Sequence, residues 1–325
     1  MSGPATRVDR RTVSGGLTDA AALPARVSVT GLWAGYDDAG RSAQVLGDIA
    51  LALEPGRRLA VVGQSGCGKS TLLHVLAGLL APTAGEVRVD GRLVAAADLD
   101  GPGRPGCRPG HSAYMFQQDL LLPWRTVLGN ATLVAEAAGR SRPALLRRAA
   151  ARAAREQTRR RARAVLDELG LGAVHVARPH ELSGGMRQRV ALARTIVTGR
   201  GLVLLDEPFG SLDSLTRAEM RCWLLEAMRA HPATWVLVTH DVREAVLLGD
   251  VVAVLGGRPA RLQGWLETGL DEDVRRRLAE RDAGRLALAS GADGCCRDPD
   301  DTAVAERVAA LTTEILGLLL SRRDS

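Results

Sequence analysis

The chain has 325 residues, is 46% hydrophobic and 25% charged, and carries a net charge of +6. That length can bury a large core, or one domain with appendages, and the composition is ordinary for a globular protein. No uninterrupted apolar stretch approaches the roughly 18 residues of a membrane span, so a role in a membrane process would require docking onto a separate membrane subunit. Five cysteines stand at 67, 107, 222, 295 and 296 with no CxxC pair and no His/Cys ligand spacing. That argues against a structural metal site and fits a reducing cytoplasm.

Residues 1–26 contain Arg7, Asp9, Arg10 and Arg11 but no apolar h-region, and are expected to form a disordered leader rather than a signal peptide. Residues 27–62 read as β-rich: Val27-Ser28-Val29 alternates, Gln44–Leu53 mixes apolar and polar positions, and Glu54-Pro55-Gly56 marks a turn. Arg58–Val62 has the pattern of a buried strand and runs straight into a glycine-rich loop. Ser70–Leu80 reads as a helix, ended by Ala81-Pro82-Thr83-Ala84-Gly85. Residues 92–112, with Gly101-Pro102-Gly103-Arg104-Pro105-Gly106, read as an exposed loop insertion.

Residues 119–199 look mostly helical. Within them, 140–163 holds many arginines and one acid, Glu156. That stretch reads as a solvated helix face, with an anionic partner as the alternative. Short apolar strands follow at 201–206 and 234–239, with a further one at 250–255. Beyond 267 the pattern becomes charged and helical, then rich in Gly, Cys and Asp at 291–301, then helical to the end. Alternating strands and helices predict an α/β fold with a largely parallel sheet. No internal repeat is visible, so one nucleotide-binding module is expected.

Gly63-Gln64-Ser65-Gly66-Cys67-Gly68-Lys69-Ser70 is a complete phosphate-binding loop between a strand and a helix. Its glycines let the backbone wrap an anion with N–H groups pointing inward. Gly63, Ser65, Gly66, Cys67, Gly68, Lys69, Ser70 and Thr71 are therefore assigned to the nucleotide. Lys69 would place a point charge on the β- and γ-phosphates, and Ser70 a hydroxyl on Mg²⁺. Leu202–Glu207 is an apolar strand ending in two acids. Asp206 is expected to hold Mg²⁺, mostly through water, and Glu207 to activate the attacking water. Without the phosphate loop, the same pair could be an N-cap for the next helix.

Leu182-Ser183-Gly184-Gly185 precedes a helix read as Met186–Thr198. A serine and two glycines at a helix N-terminus make either a second anion site or an ordinary N-cap. One triphosphate does not need two such sites. A symmetric dimer uses both, each Ser183-Gly184-Gly185 capping the nucleotide of the other subunit.

Taken in this order, the motifs resemble those of the ATP-binding cassette (ABC) ATPases, the motor subunits of ABC transporters, over about residues 27–265. The resemblance implies a RecA-like P-loop NTPase core with an N-terminal antiparallel β subdomain, an inserted helical subdomain at about 119–199, and a C-terminal helical extension at 266–325. Ser183, Gly184 and Gly185 match the family signature that meets the γ-phosphate across a head-to-tail dimer, with Met186 where the family usually has Gln. Tyr36 lies where the family stacks an aromatic on adenine, and Trp33 is a nearby rival. Gln117, followed by Gln118, resembles the glutamine that senses Mg²⁺ and water. Ser211-Leu212-Asp213 resembles the D-loop that links the two ATP sites, and His240 the switch histidine that contacts the γ-phosphate.

Phe116–Trp124 and Glu207–Arg217 resemble the importers of nitrate, sulfonate and taurine type, a group that includes uptake systems for thiamine-precursor pyrimidines. Leu121-Leu122-Pro123-Trp124 falls where the family receives the coupling helix of its permease; alternatively, Trp124 packs within the helical subdomain. The loop at 92–112 and the segment at 140–163 look longer than in the family, and the tail after 267 lacks its proline-rich basic run. The resemblance implies an ATPase using ATP and Mg²⁺, a homodimer bound peripherally at the cytoplasmic face of the membrane. Its partners would be integral permease subunits and, indirectly, a solute-binding protein. The alternative is a soluble ABC ATPase acting on ribosomes or nucleic acid. Such proteins carry two cassettes or long inserted coiled coils, so no nucleic-acid partner is expected.

Overall fold

The computed structural model describes residues 23–38, 41–97, 110–134, 147–210, 212–284 and 299–320. In chain order the first elements are β1 (Val27–Asp38), β2 (Arg41–Leu53), β3 (Arg58–Gly63), α1 (Lys69–Leu76), β4 (Ala84–Val89), β5 (Arg92–Ala96) and β6 (Ala113–Met115). There follow α2 (Val127–Ala131), α3 (Arg147–Glu168), α4 (Gly184–Val197), β7 (Leu202–Asp206), α5 (Ser214–Ala230), β8 (Thr234–Val238) and α6 (Val242–Leu248). The last are β9 (Val251–Gly256), β10 (Arg261–Glu267), α7 (Glu272–Asp282) and α8 (Pro299–Leu320).

Two sheets form. A four-stranded antiparallel sheet runs in the order β2-β1-β4-β5, and a six-stranded sheet in the order β10-β9-β3-β8-β7-β6. In the second sheet β9, β3, β8, β7 and β6 are parallel, and β10 closes one edge antiparallel to β9. This is the RecA-like P-loop arrangement of an α/β protein.

The parallel strands are apolar on both faces, and their alternation decides which core each residue joins. Leu59, Val61, Leu202, Leu204, Val236, Val238, Val251, Ala253 and Leu255 share one core with α1 and the inner face of the four-stranded sheet. Val203, Leu205, Trp235 and Leu237 point the other way, into a core with α3, α4 and α5. Ala60, Val62, Val252 and Val254 meet α6 and α8 on that second face. Trp235 is 1% exposed, and burying a side chain of that size contributes about 2–3 kcal/mol.

Several sequence expectations change in detail. Residues 92–112 are not a loop throughout: Arg92–Ala96 is strand β5, with Val94, Ala95 and Ala96 buried. The helix read as Ser70–Leu80 runs Lys69–Leu76, and β4 begins inside the segment read as its terminating turn. The helix read from Met186 starts at Gly184 and ends at Val197. The leader does not reach residue 26 as a free segment. Ala25 is buried, its N–H donates to Gly201 O at 3.0 Å, and its carbonyl accepts the Thr234 hydroxyl. Residues 1–22, Ser211, the stretch 98–109 of the expected loop and 140–146 of the arginine-rich segment lie outside the described residues.

The tail is part of the packed body. Leu311 and Ile315 of α8 are buried against α6 and the strands, and Gln64 Nε2 donates to Leu319 O at 3.5 Å, which brings the end of α8 beside the phosphate loop. Among the described residues no helix is long and apolar enough to cross a membrane.

Arg275 ties α7 to the sheet. It is 1% exposed and donates to Leu247 O and Gly249 O at 2.7 Å each, to Thr268 Oγ1 at 2.8 Å and to Leu270 O at 3.1 Å, and it pairs with Asp250 at 3.2 Å. Burial pulls its pKa down and Asp250 pulls it back up. Arg275→Met strands these acceptors without a donor. The expected loss is on the order of 3 kcal/mol, read as a lowered urea midpoint in equilibrium unfolding.

Candidate active site

The site begins where β3 ends. Gly63 closes the strand, residues 64–68 turn, and Lys69 opens α1. Gly68 sits at φ 111°, a conformation open to glycine, and a Cβ there would stand 2.8 Å from Val45 Cγ1. Lys69 is 5% exposed, and its Nζ donates to Gly63 O and Gln64 O at 3.0 Å each. The loop thus holds the ammonium in place through its own carbonyls. Lys69 is also the only lysine in the chain; every other long basic side chain is arginine. A compact ammonium fits where a planar guanidinium does not. Cys67 packs behind the loop, its thiol pushed up by burial.

Asp206, at the end of β7, is joined to this loop. Its Oδ1 accepts the Ser70 hydroxyl and its Oδ2 the Tyr114 hydroxyl, both at 3.0 Å. Tyr114 had no place in the sequence expectations. The available signal was a polar aromatic in an apolar run that ends at Gln117. Burial, and then Asp206, push its phenol far above the usual range and keep it a donor. Ser70 and Asp206 supply hard oxygen ligands. Among the described residues no group of three or more His, Cys, Asp or Glu could hold a metal. The Ser70 hydroxyl and the Asp206 carboxylate are oxygen donors of the kind that Mg²⁺ takes.

Glu207, Gln117 and His240 come together from three strand ends. Gln117 Nε2 donates to Glu207 Oε2 at 3.3 Å, and His240 Nδ1 lies 3.5 Å from the same oxygen. Glu207 takes φ 43°, a left-handed conformation that costs a non-glycine residue about 1 kcal/mol or more. Its N–H bonds Val238 O at 3.0 Å, which fixes the turn out of β7. Gln117 faces Glu207, and no hydrogen bond joins its side chain to Ser70 or Asp206 among the described residues.

The segment after Gln117 is held from behind. Gln188 Nε2 donates to Gln117 O at 3.4 Å, and Arg194 donates to Asp119 O at 2.7 Å and Leu120 O at 2.9 Å. Asn130, wholly buried, accepts the Leu122 N–H at 2.7 Å and donates to Leu122 O at 3.2 Å. The loop so fixed leaves Leu120 and Trp124 outside, Trp124 with 69% of its surface exposed. Trp124 therefore does not pack within the helical layer.

Ser183 caps α4, its Oγ accepting the Met186 N–H at 3.2 Å. Gly184 and Gly185 lie against the next turn: a Cβ on Gly185 would meet Thr216 Cγ2 at 2.5 Å, and one on Gly184 would meet Leu212 Cδ2 at 3.8 Å. Asp213 caps α5 through the Thr216 N–H, which holds its carboxyl below the usual range. Ser183, Gly184 and Asp213 are thus exposed at one corner, with Gly185 buried against Thr216 beneath them. Among the described residues no hydrogen bond joins that corner to Gly63–Ser70. Tyr36 is half exposed with its hydroxyl 3.4 Å from Thr71 Oγ1 and 3.5 Å from His74 Nδ1. Trp33 is engaged elsewhere, under Arg261 with the guanidinium carbon 5.6 Å from its ring.

A phosphate loop at the end of a parallel strand, with carboxylates at the end of a strand two places along the sheet and a serine-capped helix, defines an ATP-binding cassette. The family described as ABC transporter matches residues 46–210, and the chain belongs to that family, whose members bind and hydrolyse ATP. Among curated relatives, it is 36% identical over 270 residues to the taurine import ATP-binding protein TauB of Pseudomonas aeruginosa strain UCBPP-PA14, covering 81% of this chain and 94% of that one. It is 40% identical over 261 residues to the aliphatic sulfonates import ATP-binding protein SsuB 2 of Agrobacterium fabrum, covering 80% of this chain and 85% of that one. Among solved structures, the dimeric post-hydrolysis state of the ATP-binding cassette MJ0796 bound to ADP and Pi matches with TM-score 0.59 at 27% identity, covering 74% of this chain and 98% of that one.

Gly68→Ala tests the loop geometry directly. The left-handed φ and the 2.8 Å approach to Val45 leave no room for a methyl group. The expected result is ATP affinity lowered at least about tenfold in equilibrium binding.

Proposed function

We propose that this chain is the ATP-hydrolysing subunit of an importer for a small solute of the sulfonate, taurine or nitrate kind, working on a separate integral membrane permease. In this reading it acts as a homodimer at the cytoplasmic face of the membrane. The observation that carries the hydrolytic part is the convergence of Gln117 and His240 on Glu207 Oε2, at 3.3 and 3.5 Å, beside the Ser70–Asp206 pair.

Tyr36 stacks on the base. The backbone of residues 63–68 wraps the phosphates, with Lys69 as the fixed cation at their end. Ser70 and Asp206 would hold Mg²⁺, which would offset phosphate charge. Glu207 takes the proton of the attacking water, and Gln117 and His240 hold that carboxylate and the water in line. Among the described residues, Ser183, Gly184 and Gly185 make no hydrogen bond to the phosphate loop of their own chain. They serve the nucleotide of a second copy, with Asp213 beside them at the junction. The Trp124 loop receives the permease: a rigid backbone that presents Leu120 and Trp124 to solvent suits a partner's apolar segment. The solute itself is read by other subunits.

Glu207→Gln is expected to keep ATP affinity within about twofold while lowering turnover at least about 100-fold, compared by equilibrium binding and phosphate release. Normal turnover would remove Glu207 from the role of base. Lys69→Arg keeps the charge and is still expected to lose ATP retention, because the ammonium pocket is closed by two carbonyls. Trp124→Ala is expected to leave ATPase activity of the isolated chain intact and to abolish co-purification with the permease; unchanged association would contradict the docking assignment.

A further inference from the structure

Glu244 lies in α6, four residues after His240, and is 2% exposed. Its Oε2 accepts the Thr239 hydroxyl at 2.7 Å, and Thr239 Oγ1 accepts the Asp241 N–H at 3.1 Å. The two residues that flank His240 are therefore held from beneath by one carboxylate. Asp241 adds a cap, its Oδ1 accepting the N–H groups of Arg243 at 2.8 Å and Glu244 at 3.2 Å.

The other oxygen of Glu244 is not satisfied. Oε1 is buried without a hydrogen bond, and the facing Arg217 Nε, 4.0 Å away, is buried without one too. Two opposite charges confront each other across a gap about 1 Å too long for a hydrogen bond. Burial pushes the Glu244 carboxyl up; the Thr239 bond and the charges of Arg221 and Arg217 pull it back, while Asp241 pushes it further up. Arg221 also faces Glu244; its Nη2 donates to Asp282 at 3.2 Å while its Nε is buried without a hydrogen bond. Arg217 is anchored at its far end to the exposed corner. Its Nη2 donates to Leu212 O at 3.1 Å, and its N–H to Asp213 O at 2.9 Å. A small displacement of the Leu212–Asp213 turn carries Arg217 with it and opens or closes the gap to Glu244.

We propose that Glu244 is a positioning residue for His240, and that Arg217 makes this position depend on the Leu212–Asp213 turn. Whatever presses on that turn, a second copy of the chain in the reading above, then sets the alignment of His240 with Glu207. The inference rests on the reading of Glu207 and His240 as the hydrolytic pair. The path runs from the turn through Arg217, Glu244 and Thr239 to His240, with the 4.0 Å gap between Arg217 and Glu244 as its open link. Orphaned buried charges are costly, so an arrangement that pairs Arg217 with Glu244 is favoured wherever the turn permits it.

The test uses steady-state ATPase kinetics of the full chain, with binding of a fluorescent ATP analogue and the thermal midpoint measured in parallel. Glu244→Gln keeps the shape and an acceptor for Thr239 but removes the charge facing Arg217. Arg217→Gln removes the cation. Each is expected to lower kcat about tenfold or more, with KM, analogue affinity and midpoint nearly unchanged. The double variant should be no slower than the slower single one, and Arg217→Lys should recover part of the loss. Losses that multiply in the double variant, a loss confined to KM, or no loss at all would overturn the proposal. His240→Ala separates the two layers. If it turns over ATP normally, the hydrolytic reading fails and the latch with it. If it is inactive while Glu244→Gln and Arg217→Gln match the wild type, the latch alone fails. Should Glu244→Gln not fold, the partly exposed Arg217 decides: lowered kcat in Arg217→Gln at constant KM supports the proposal, and unchanged kcat overturns it.

Discussion

The site depends on the register of four parallel strands. Val61 pairs with Val238, Asp206 with Val238, and Met115 with Leu205. β3, β8, β7 and β6 therefore end at one edge within a residue or two of each other. The phosphate loop, His240, Asp206–Glu207 and Gln117 all leave the sheet there. Ligands of open α/β sheets sit outside these carboxyl ends. A slip of one residue in any pair would turn apolar side chains from one core to the other and move a functional group along the edge. The apolar alternation of β3, β7, β8 and β9 is thus what fixes the distances between chemical groups far apart in sequence.

Around that edge, the supporting side chains are mostly polar groups with every bond directed. Asn130 and Arg194 pin the backbone behind Trp124, Arg275 pins α7 to the end of α6, and Tyr114 holds Asp206. Burial makes such bonds strong and their loss costly. The same pressure explains the one exception to arginine usage. A composition with arginine almost everywhere keeps a lysine at 69, where the cation must fit between two carbonyls of its own loop.

The sequence made the catalytic edge legible because its elements are local. Gly63–Ser70, Leu202–Glu207 and Leu182–Gly185 each combine a motif with the strand or helix that carries it, and the structure has those elements. β4, β5 and β6 were not legible. β6 is three residues long, and β4 and β5 carry Gly85, Glu86, Arg88 and Arg92 among their apolar positions. β4 pairs with the edge that β1 offers, β5 with β4 and β6 with β7, and no local window contains those partners. Tyr114, Thr239, Glu244 and Arg217 were missed for the same reason: each acts through a neighbour distant in sequence or through one bond invisible in a pattern. The surroundings of Tyr36 and Trp33 differ in space. The Tyr36 ring stands half exposed by Thr71, while Trp33 lies under Arg261.

Ser183 caps its own helix, and among the described residues no hydrogen bond joins it or its glycines to the phosphate loop. In the proposed dimer the Ser183 corner of each chain completes the site of a second chain. That pairing is tested most directly by mixing two inactive proteins, Lys69→Ala and Ser183→Arg, and measuring ATP hydrolysis against either alone. In a mixed dimer, the intact phosphate loop of the Ser183→Arg chain meets the intact corner of the Lys69→Ala chain. The mixture is expected to regain hydrolysis. A mixture that forms dimers yet stays as inactive as its parts would contradict it.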